Sequence, residues 1–538
     1  MISTDSEARS KGFLDLAPFV GAVLALPTGA ALLVAYPGAS PLALLCFYAS
    51  GCIAVALSLV YPSSFFVFFL SSFLFVGFIA KAVANLVFDV KLIEPISGFT
   101  SEWDQALLFA ASGLFGVCLA NIVAGFYPSF RNTLRASGPP RLAHFVLGAL
   151  ALLTIVSVAL YWGNYSFHII RIGFPLGVPM DGRIYAVAAF VISWGALLGG
   201  LTAVLWLIEL RGWPYAALIY MATLLGALAS LSMGSRIQLL LYVLAACAVV
   251  MLRHRQVQSW IAVTIAMGLA ALVFAGSLAV VSFERAFDFS LNAPPIATPS
   301  VQHTPQTASD PMQLPAPAMN NEASNSPGQS KPDTNSSAIA APPSATITSP
   351  APEAPSLADK VETVTRDRFA LEGLFRQLRN LAIMRWVGME GVMTAAANSN
   401  QLSTDLFFKV LSEDPAEGSH AIYQKMSGDR YGNVEYYTFL TLPGPVGIAS
   451  LSGSLPVVAA FMFALTLVGH SIEWVASRAT QNIATAAVAG VSLAYLTVQM
   501  GFPWTLLIYA IELVLSVLFL GAIWWLTKGL TARGVRAG

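Results

Sequence analysis

The strongest chemical signal in the sequence is an arginine between two apolar runs. Arg236 stands in LSMGSRIQLLLYVL, where almost no loop separates the runs. A charged side chain in such a place is costly unless it is paired or functional. Its planar guanidinium suits phosphate oxygen atoms, while Gly234 lets the backbone approach closely and Ser235 adds a hydroxyl donor. The pattern indicates either a phosphate site or an arginine that extends to the membrane interface.

A second pair of cations lies in the segment SFHIIRIGFPLGVPMDGRIY. Arg171 and Arg183 are separated by glycine, proline and aspartate residues, which favour turns. Ten residues stand between Arg171 and Gly182. The alternative to a functional loop is an ordinary polar loop with anchors at the membrane interface.

A third group of cations lies in RDRFALEGLFRQLRNLAIMRWVGMEGVMTAAA. Arg376, Arg379 and Arg385 fall on different faces of the predicted helix, so they cannot all point one way. The segment is therefore either a solvated helix surface or part of an anion site. Glu390, in the same helix, either pairs with one of these arginines or acts as a base.

The motifs of the common soluble enzymes are absent from the sequence. It has no Walker loop, HExxH, GxSxG or dinucleotide-binding glycine motif. The short loop PGASP has no paired acids, which disfavours glycosyltransferases that hold a divalent metal in the first outer loop. All four cysteines lie in apolar runs, which disfavours a disulfide scaffold or a zinc site. The cations are the main chemical resource, and no metal or cofactor is predicted.

The composition indicates which elements must position these residues. Of 538 residues, 56% are hydrophobic and only 10% are charged, and the mean hydropathy is +0.70. Such a chain is typical of an all-α polytopic membrane protein. The formal net charge of zero argues against a nucleic-acid binder, which needs an excess of cations.

Twelve apolar runs are long enough for transmembrane helices, since a span needs about 20 residues. They lie near 15–35, 42–61, 64–88, 104–127, 143–163, 184–210, 214–232, 237–252, 260–283, 443–474, 482–500 and 504–527. Lysine and arginine residues are concentrated in the loops that are cytoplasmic if the N-terminus is inside. We therefore predict cytoplasmic termini, a first helix that is retained and not cleaved as a signal peptide, and a large outer segment.

Four regions follow from this layout. Residues 1–284 form an N-terminal membrane bundle of about nine helices, and residues 443–538 form the C-terminal membrane helices. Residues 285–357, rich in proline, alanine and serine, are predicted to be a disordered linker. Residues 358–442 are predicted to be an amphipathic helical segment on or near the outer membrane face, with LSTDLFFKVL as a further short helix.

The layout and two short motifs resemble the O-antigen polymerase (Wzy-type) family and the related O-antigen ligase superfamily. SMGSRIQLLLYVL is similar to the Ser-Arg signature that opens a helix in these proteins. The spacing from Arg171 to Gly182 is similar to an Arg-x10-Gly loop pattern of the polymerases. In the large outer segment the match is only approximate, because Arg379 to Gly391 is one residue too long. TLPGPVGIASLSG resembles the Pro-Gly-rich entry to the helix after that segment.

The resemblance implies a GT-C-like, metal-independent glycosyltransferase of the bacterial inner membrane. Such enzymes transfer a growing glycan from undecaprenyl diphosphate to a sugar hydroxyl of a lipid-linked repeat unit at the periplasmic face. The implied partners are that lipid-linked oligosaccharide, membrane lipid and a chain-length regulator. Cations stabilise charge on the departing diphosphate, and a base accepts the hydroxyl proton. The implied diphosphate-binding residues are Arg236, Arg171, Arg183, Arg376, Arg379, Arg385 and Ser235. The candidate bases are Glu390, His168, His420 and Glu435.

Three alternatives stay open on the sequence. A ligase would use a histidine in the large outer segment, but His303 and His420 lack the histidine-rich context expected of one. A lipid-linked oligosaccharide flippase or a secondary transporter fits twelve helices, although paired broken helices in two halves are not visible. A membrane scaffold for envelope assembly should tolerate Arg236→Lys, whereas an enzyme that needs a bidentate phosphate contact should not.

Overall fold

A computed structural model of the chain describes residues 26–60, 64–90, 102–125, 140–172, 181–292, 383, 385–427 and 442–536. Every regular element within these ranges is helical. Nine of the described helices are long and apolar enough to cross a membrane, and three shorter apolar helices accompany them. The chain is therefore a polytopic membrane protein, and its twelve spans stay a prediction. Most of the predicted linker and the start of the amphipathic segment lie outside the described residues.

The described helices divide into those before and those after the large segment that the sequence predicts to lie outside. The first group is α1 (Leu26–Ala35), α2 (Pro41–Val60), α3 (Phe65–Leu86), α4 (Trp103–Gly125), α5 (Pro140–Phe167), α6 (Gly182–Arg211), α7 (Ala216–Met233), α8 (Gln238–Leu252) and α9 (Trp260–Asn292). The second group is α10 (Met389–Ala397), α11 (Thr404–Leu411), α12 (Ile422–Met426), α13 (Gly444–Ser450), α14 (Leu455–Thr480), α15 (Ile483–Val498) and α16 (Pro503–Arg536).

The centre of the bundle is α15, which contacts α3, α6, α8 and α14. It is buried without interruption from Ile483 to Ala494. Small residues dominate this helix, and they let neighbouring helices approach closely. A Cβ atom at Gly490 would lie 2.7 Å from the backbone nitrogen of Phe66. By contrast, α2, α5, α9 and α16 expose large apolar side chains such as Leu272, as expected of surfaces in contact with lipid.

A buried carboxylate fixes the start of α3. Glu473 of α14 is fully buried and accepts hydrogen bonds from the backbone N–H groups of Phe65 at 2.8 Å and Phe66 at 2.7 Å. The hydroxyl of Ser64 donates to the same carboxylate. The first N–H groups of a helix have no partner within it and favour an anion. Glu473 therefore joins α14 to α3.

Residues 386–396 are buried inside the bundle, although the sequence predicts an amphipathic segment at the outer membrane face. Trp386 stacks on Phe73 with ring centroids 4.5 Å apart, and α10 contacts α4 and α13. Glycine makes this packing possible, because a Cβ atom at Gly447 would lie 2.8 Å from Cα of Gly391. The short helix predicted in LSTDLFFKVL is confirmed as α11, whose Phe407 and Val410 are buried.

The predicted continuous helix over 443–474 is wrong, because the structure divides this run into α13 and α14. Gly453 takes a φ of +69°, which does not continue a right-handed helix. Pro456 then stands in the first turn of α14, where a missing N–H costs no helical hydrogen bond. The division lets the fully buried α13 pack against α10.

Candidate functional site

The end of α7 forms a tight turn before α8, called here the Arg236 turn (residues 230–238). Gly234 has a φ of +61°, which glycine adopts without steric cost. The N–H of Ser235 donates to the carbonyl of Ser230 at 2.9 Å, and Ser230 Oγ donates to the carbonyl of Ser235 at 2.6 Å. Ser235 Oγ is buried with no hydrogen-bond partner among the described residues. Arg236 is half-buried beside it.

The loop after α5, called here the Arg171 loop (residues 168–172), is bonded directly to the end of α7. Asn164, near the end of α5, links the two segments, because its amide donates to the carbonyl of Ile170 in the loop at 3.1 Å and to the hydroxyl of Ser232 at 2.6 Å. The backbone N–H of Ile172 donates to the carbonyl of Met233 at 3.0 Å. These bonds bring together the two segments that the sequence analysis singles out for phosphate chemistry.

A buried arginine that the sequence analysis misses joins the loop and the turn. Arg285 is 8% exposed, its Nε donates to the carbonyl of Gly234 at 2.9 Å, and its Nη2 donates to the carbonyl of Ile172 at 2.6 Å. Two carbonyl acceptors offset the cost of burying the guanidinium. Since Ile172 adjoins Arg171 and Gly234 lies two residues before Arg236, the chain positions that carry these three arginines meet at one junction.

A carboxylate lies next to this junction. Glu284 is half-buried, and its Oε1 accepts a hydrogen bond from the hydroxyl of Tyr165 at 3.0 Å. Its Oε2 is buried and has no hydrogen-bond partner among the described residues. The ring of Tyr165 meets His168 edge-on, with centroids 6.4 Å apart. The predicted base His168 lies in the Arg171 loop, and Tyr165 contacts both its ring and Glu284, a carboxylate that the sequence analysis does not name.

The Arg236 turn is recessed relative to the start of α6. Gln238 Nε2 donates to the carbonyl of Ser193 at 2.7 Å, and Ser193 lies in a π-helical turn of α6, an irregularity found often at functional sites. About 16 Å of helix separates Gly182 from Ser193 at 1.5 Å per residue. The exposed start of α6 carries Arg183, so the structure places this predicted residue at the rim and not in the turn.

The predicted base Glu390 lies in a buried ion pair. Its Oε1 contacts Nζ of Lys81, and the two side chains are 5% and 1% exposed. The partner is a lysine of α3, not one of the arginines that the sequence offers as alternatives. Glu390 Oε2 is buried with no hydrogen-bond partner among the described residues. Lys81 follows the π-helical turn Val76–Ala80 of α3, and the pair ties α10 to that helix.

The remaining predicted residues are dispersed. Arg385 contacts the end of α15, where its carbonyl accepts a hydrogen bond from Gln499. His420 is exposed at the end of the 3-10 helix Pro415–His420. Three predicted residues lie outside the described part of the chain: Arg376, Arg379 and Glu435.

The junction brings the chain positions of three arginines together with a carboxylate, which are residue types that can bind an anion and accept a proton. Guanidinium groups stabilise charge on phosphate oxygen atoms, and fixed donors act strongly where water is excluded. Among the described residues, no group of histidine, cysteine, aspartate and glutamate side chains could hold a metal ion. In the sequence, a glutamate followed directly by an arginine at the end of an apolar run is the feature that could identify Glu284 and Arg285.

Comparison with known proteins identifies no relative. No family model matches the chain, and searches of curated proteins and of solved structures also find no match.

Proposed function

We propose that the protein is a polysaccharide polymerase of the bacterial inner membrane. It transfers a growing glycan from undecaprenyl diphosphate to a sugar hydroxyl of a second lipid-linked repeat unit at the periplasmic face. Both termini are cytoplasmic in this proposal, the bundle has twelve GT-C-like spans, and a chain-length regulator is a partner. No nucleotide sugar or metal ion takes part.

The observation that carries the proposal is the junction made by Arg285. The Arg171 loop and the Arg236 turn are the two segments in which the sequence resembles the polymerase family. They are far apart in the chain, and hydrogen bonds from Ile172 and Arg285 hold them together. Arg236 and Arg171 in this arrangement bind the diphosphate, and Ser235 Oγ adds a donor.

The chemical step follows from these roles. The bond between the anomeric carbon of the donor glycan and the diphosphate oxygen breaks, while a bond from the acceptor oxygen to that carbon forms. The arginines stabilise the negative charge that develops on the leaving diphosphate. The acceptor hydroxyl loses its proton to a base within hydrogen-bond reach.

The test is the polysaccharide profile of a deletion strain, with lipid-linked sugars extracted alongside. Loss of long chains, with single repeat units still reaching the outer side, supports a polymerase. Long lipid-linked chains that never reach their final acceptor indicate a ligase, and single units trapped inside indicate a flippase. An unchanged profile contradicts the polymerase, the ligase and the flippase and favours a scaffold or a secondary carrier.

Complementation with arginine variants then tests the site. Arg236→Ala and Arg236→Lys are expected to restore no long chains, because lysine lacks the planar fork that contacts two phosphate oxygen atoms. Arg211→Ala is the matched control, since Arg211 is exposed at the other end of α6. Full product from both Arg236 variants would show that the site is wrongly assigned.

A further inference from the structure

A carboxylate outside all the predicted catalytic residues is held at the arginine junction. Glu284 directly precedes Arg285 on α9, and Tyr165 directly follows Asn164 on α5. Each helix contributes two consecutive residues near the junction. Asn164 and Arg285 form hydrogen bonds with the loop and the turn, and Tyr165 and Glu284 form a hydrogen bond with each other. The backbone of Glu284 therefore adjoins the arginine that bonds to both the loop and the turn.

The two oxygen atoms of Glu284 differ in a way that suits a base. Oε1 is fixed by the hydroxyl of Tyr165 at 3.0 Å, so the carboxylate has a defined orientation. Oε2 makes no hydrogen bond within the described residues although its surface is covered. A buried carboxylate oxygen without a donor is costly. A bound hydroxyl group would supply the donor.

The predicted bases are less well placed for this role. Glu390 is committed to Lys81 in a buried ion pair that occupies its Oε1. His420 is exposed on a short helix of the segment after α11. His168 is exposed, and its ring packs edge-on against Tyr165.

We propose that Glu284 is the catalytic base that binds and deprotonates the acceptor hydroxyl. This inference rests on the proposed polymerase function. The acceptor O–H bond breaks and its proton moves to Oε2 of Glu284. The acceptor oxygen forms the new bond to the anomeric carbon, and the electron pair of the broken glycosidic phosphate bond leaves with the diphosphate. Tyr165 is a positioning residue, because its hydroxyl holds the other carboxylate oxygen.

The test uses the purified full-length protein in nanodiscs and lipid-linked oligosaccharides extracted from the deletion strain. Glu284→Gln preserves the shape and the hydrogen bond from Tyr165 but removes the base, so the rate of chain extension is expected to fall about a hundredfold or more. Binding of the lipid-linked oligosaccharide is expected to change less than threefold, since the arginines are intact. Tyr165→Phe is expected to cause a smaller loss of rate, with the carboxylate retained.

One control variant and the pattern of losses separate the possible failures. Glu102→Gln alters a half-buried glutamate just before α4 and is expected to extend chains at the wild-type rate. If Glu284→Gln loses binding and rate together, its role is structural and the inference is wrong. If it extends chains at the wild-type rate, the inference fails while the polymerase function stands. If the wild type extends no chains, the proposed function fails and the inference fails with it.

Discussion

The most informative substitution is Arg285→Ala, because Arg285 joins the two segments of the candidate site. The change removes two hydrogen bonds from a charged donor, at 2.9 Å to Gly234 and 2.6 Å to Ile172. Hydrogen bonds of this kind contribute about 1.5 kcal/mol each at the low end of their range. Local opening of the Arg171 loop should therefore become easier by about 3 kcal/mol, which corresponds to a factor of about 150.

Hydrogen–deuterium exchange of the protein in nanodiscs measures this opening. The amide of Ile172 is a direct reporter, because it is bonded to the carbonyl of Met233 in the folded protein. We expect its exchange rate to rise about a hundredfold in Arg285→Ala, since exchange follows the free energy of local opening. Arg285→Lys should show an intermediate increase, because a single ammonium group cannot reproduce the planar fork of the guanidinium.

Arg253→Ala is the control for this measurement. Arg253 is also an almost fully buried arginine, but it lies after α8, at the opposite end of that helix from the Arg236 turn. Its substitution is expected to leave exchange at Ile172 unchanged. Unchanged exchange at Ile172 in Arg285→Ala would refute the reasoning, because the loop would then be held to α7 without Arg285.

Three further predictions concern glutamates that are buried or half-buried. Glu390→Gln should destabilise the protein by about 3 kcal/mol because it leaves Lys81 charged and unpaired. A thermal midpoint in detergent equal to that of the wild type would contradict this. The double variant Lys81→Met with Glu390→Met should recover stability. Glu473→Ala should cost about 1–2 kcal/mol by uncapping α3, and faster exchange at Phe65 and Phe66 is the readout. Burial raises the pKa of Glu413. Protonated Glu413 therefore stabilises the folded state at low pH, and this stabilisation is lost as the pH rises above the usual pKa range of a carboxyl group. The protection factor of the Ile422 amide, which donates to Glu413, should therefore decrease between pH 4 and 7 once the intrinsic rise of amide exchange with pH is divided out. Glu413→Gln should remove this decrease, and an equal decrease in both proteins would contradict the assignment.

The helical membrane architecture could be predicted because hydrophobic run length reports directly on spanning helices. The Arg236 turn was equally visible, since a glycine, a serine and an arginine interrupt two apolar runs. The division between α13 and α14 was not recognised, because Gly453 and Pro456 stand in a run whose hydropathy is continuous. The backbone geometry at Gly453 separates the two helices, and a hydropathy pattern does not report backbone geometry.

Long-range polar contacts account for most of what the sequence analysis missed. Arg285 donates hydrogen bonds to carbonyl groups 51 and 113 residues away. Every residue has a backbone carbonyl, so the sequence does not indicate which ones accept these bonds. Lys81 and Glu390 are 309 residues apart, so nothing local identifies the lysine as the partner. The burial of residues 386–396 depends on glycine contacts such as Gly391 with Gly447, which an amphipathic pattern does not reveal.

The most direct test of the proposed function is the chemistry of the purified protein. Wild-type protein in nanodiscs is incubated with lipid-linked oligosaccharides from the deletion strain, in the presence of EDTA and without nucleotide sugars. The proposal predicts longer lipid-linked glycans and one undecaprenyl diphosphate released for each new glycosidic bond, and predicts neither with Arg236→Lys. Absence of undecaprenyl diphosphate release by an intact wild-type protein would contradict it.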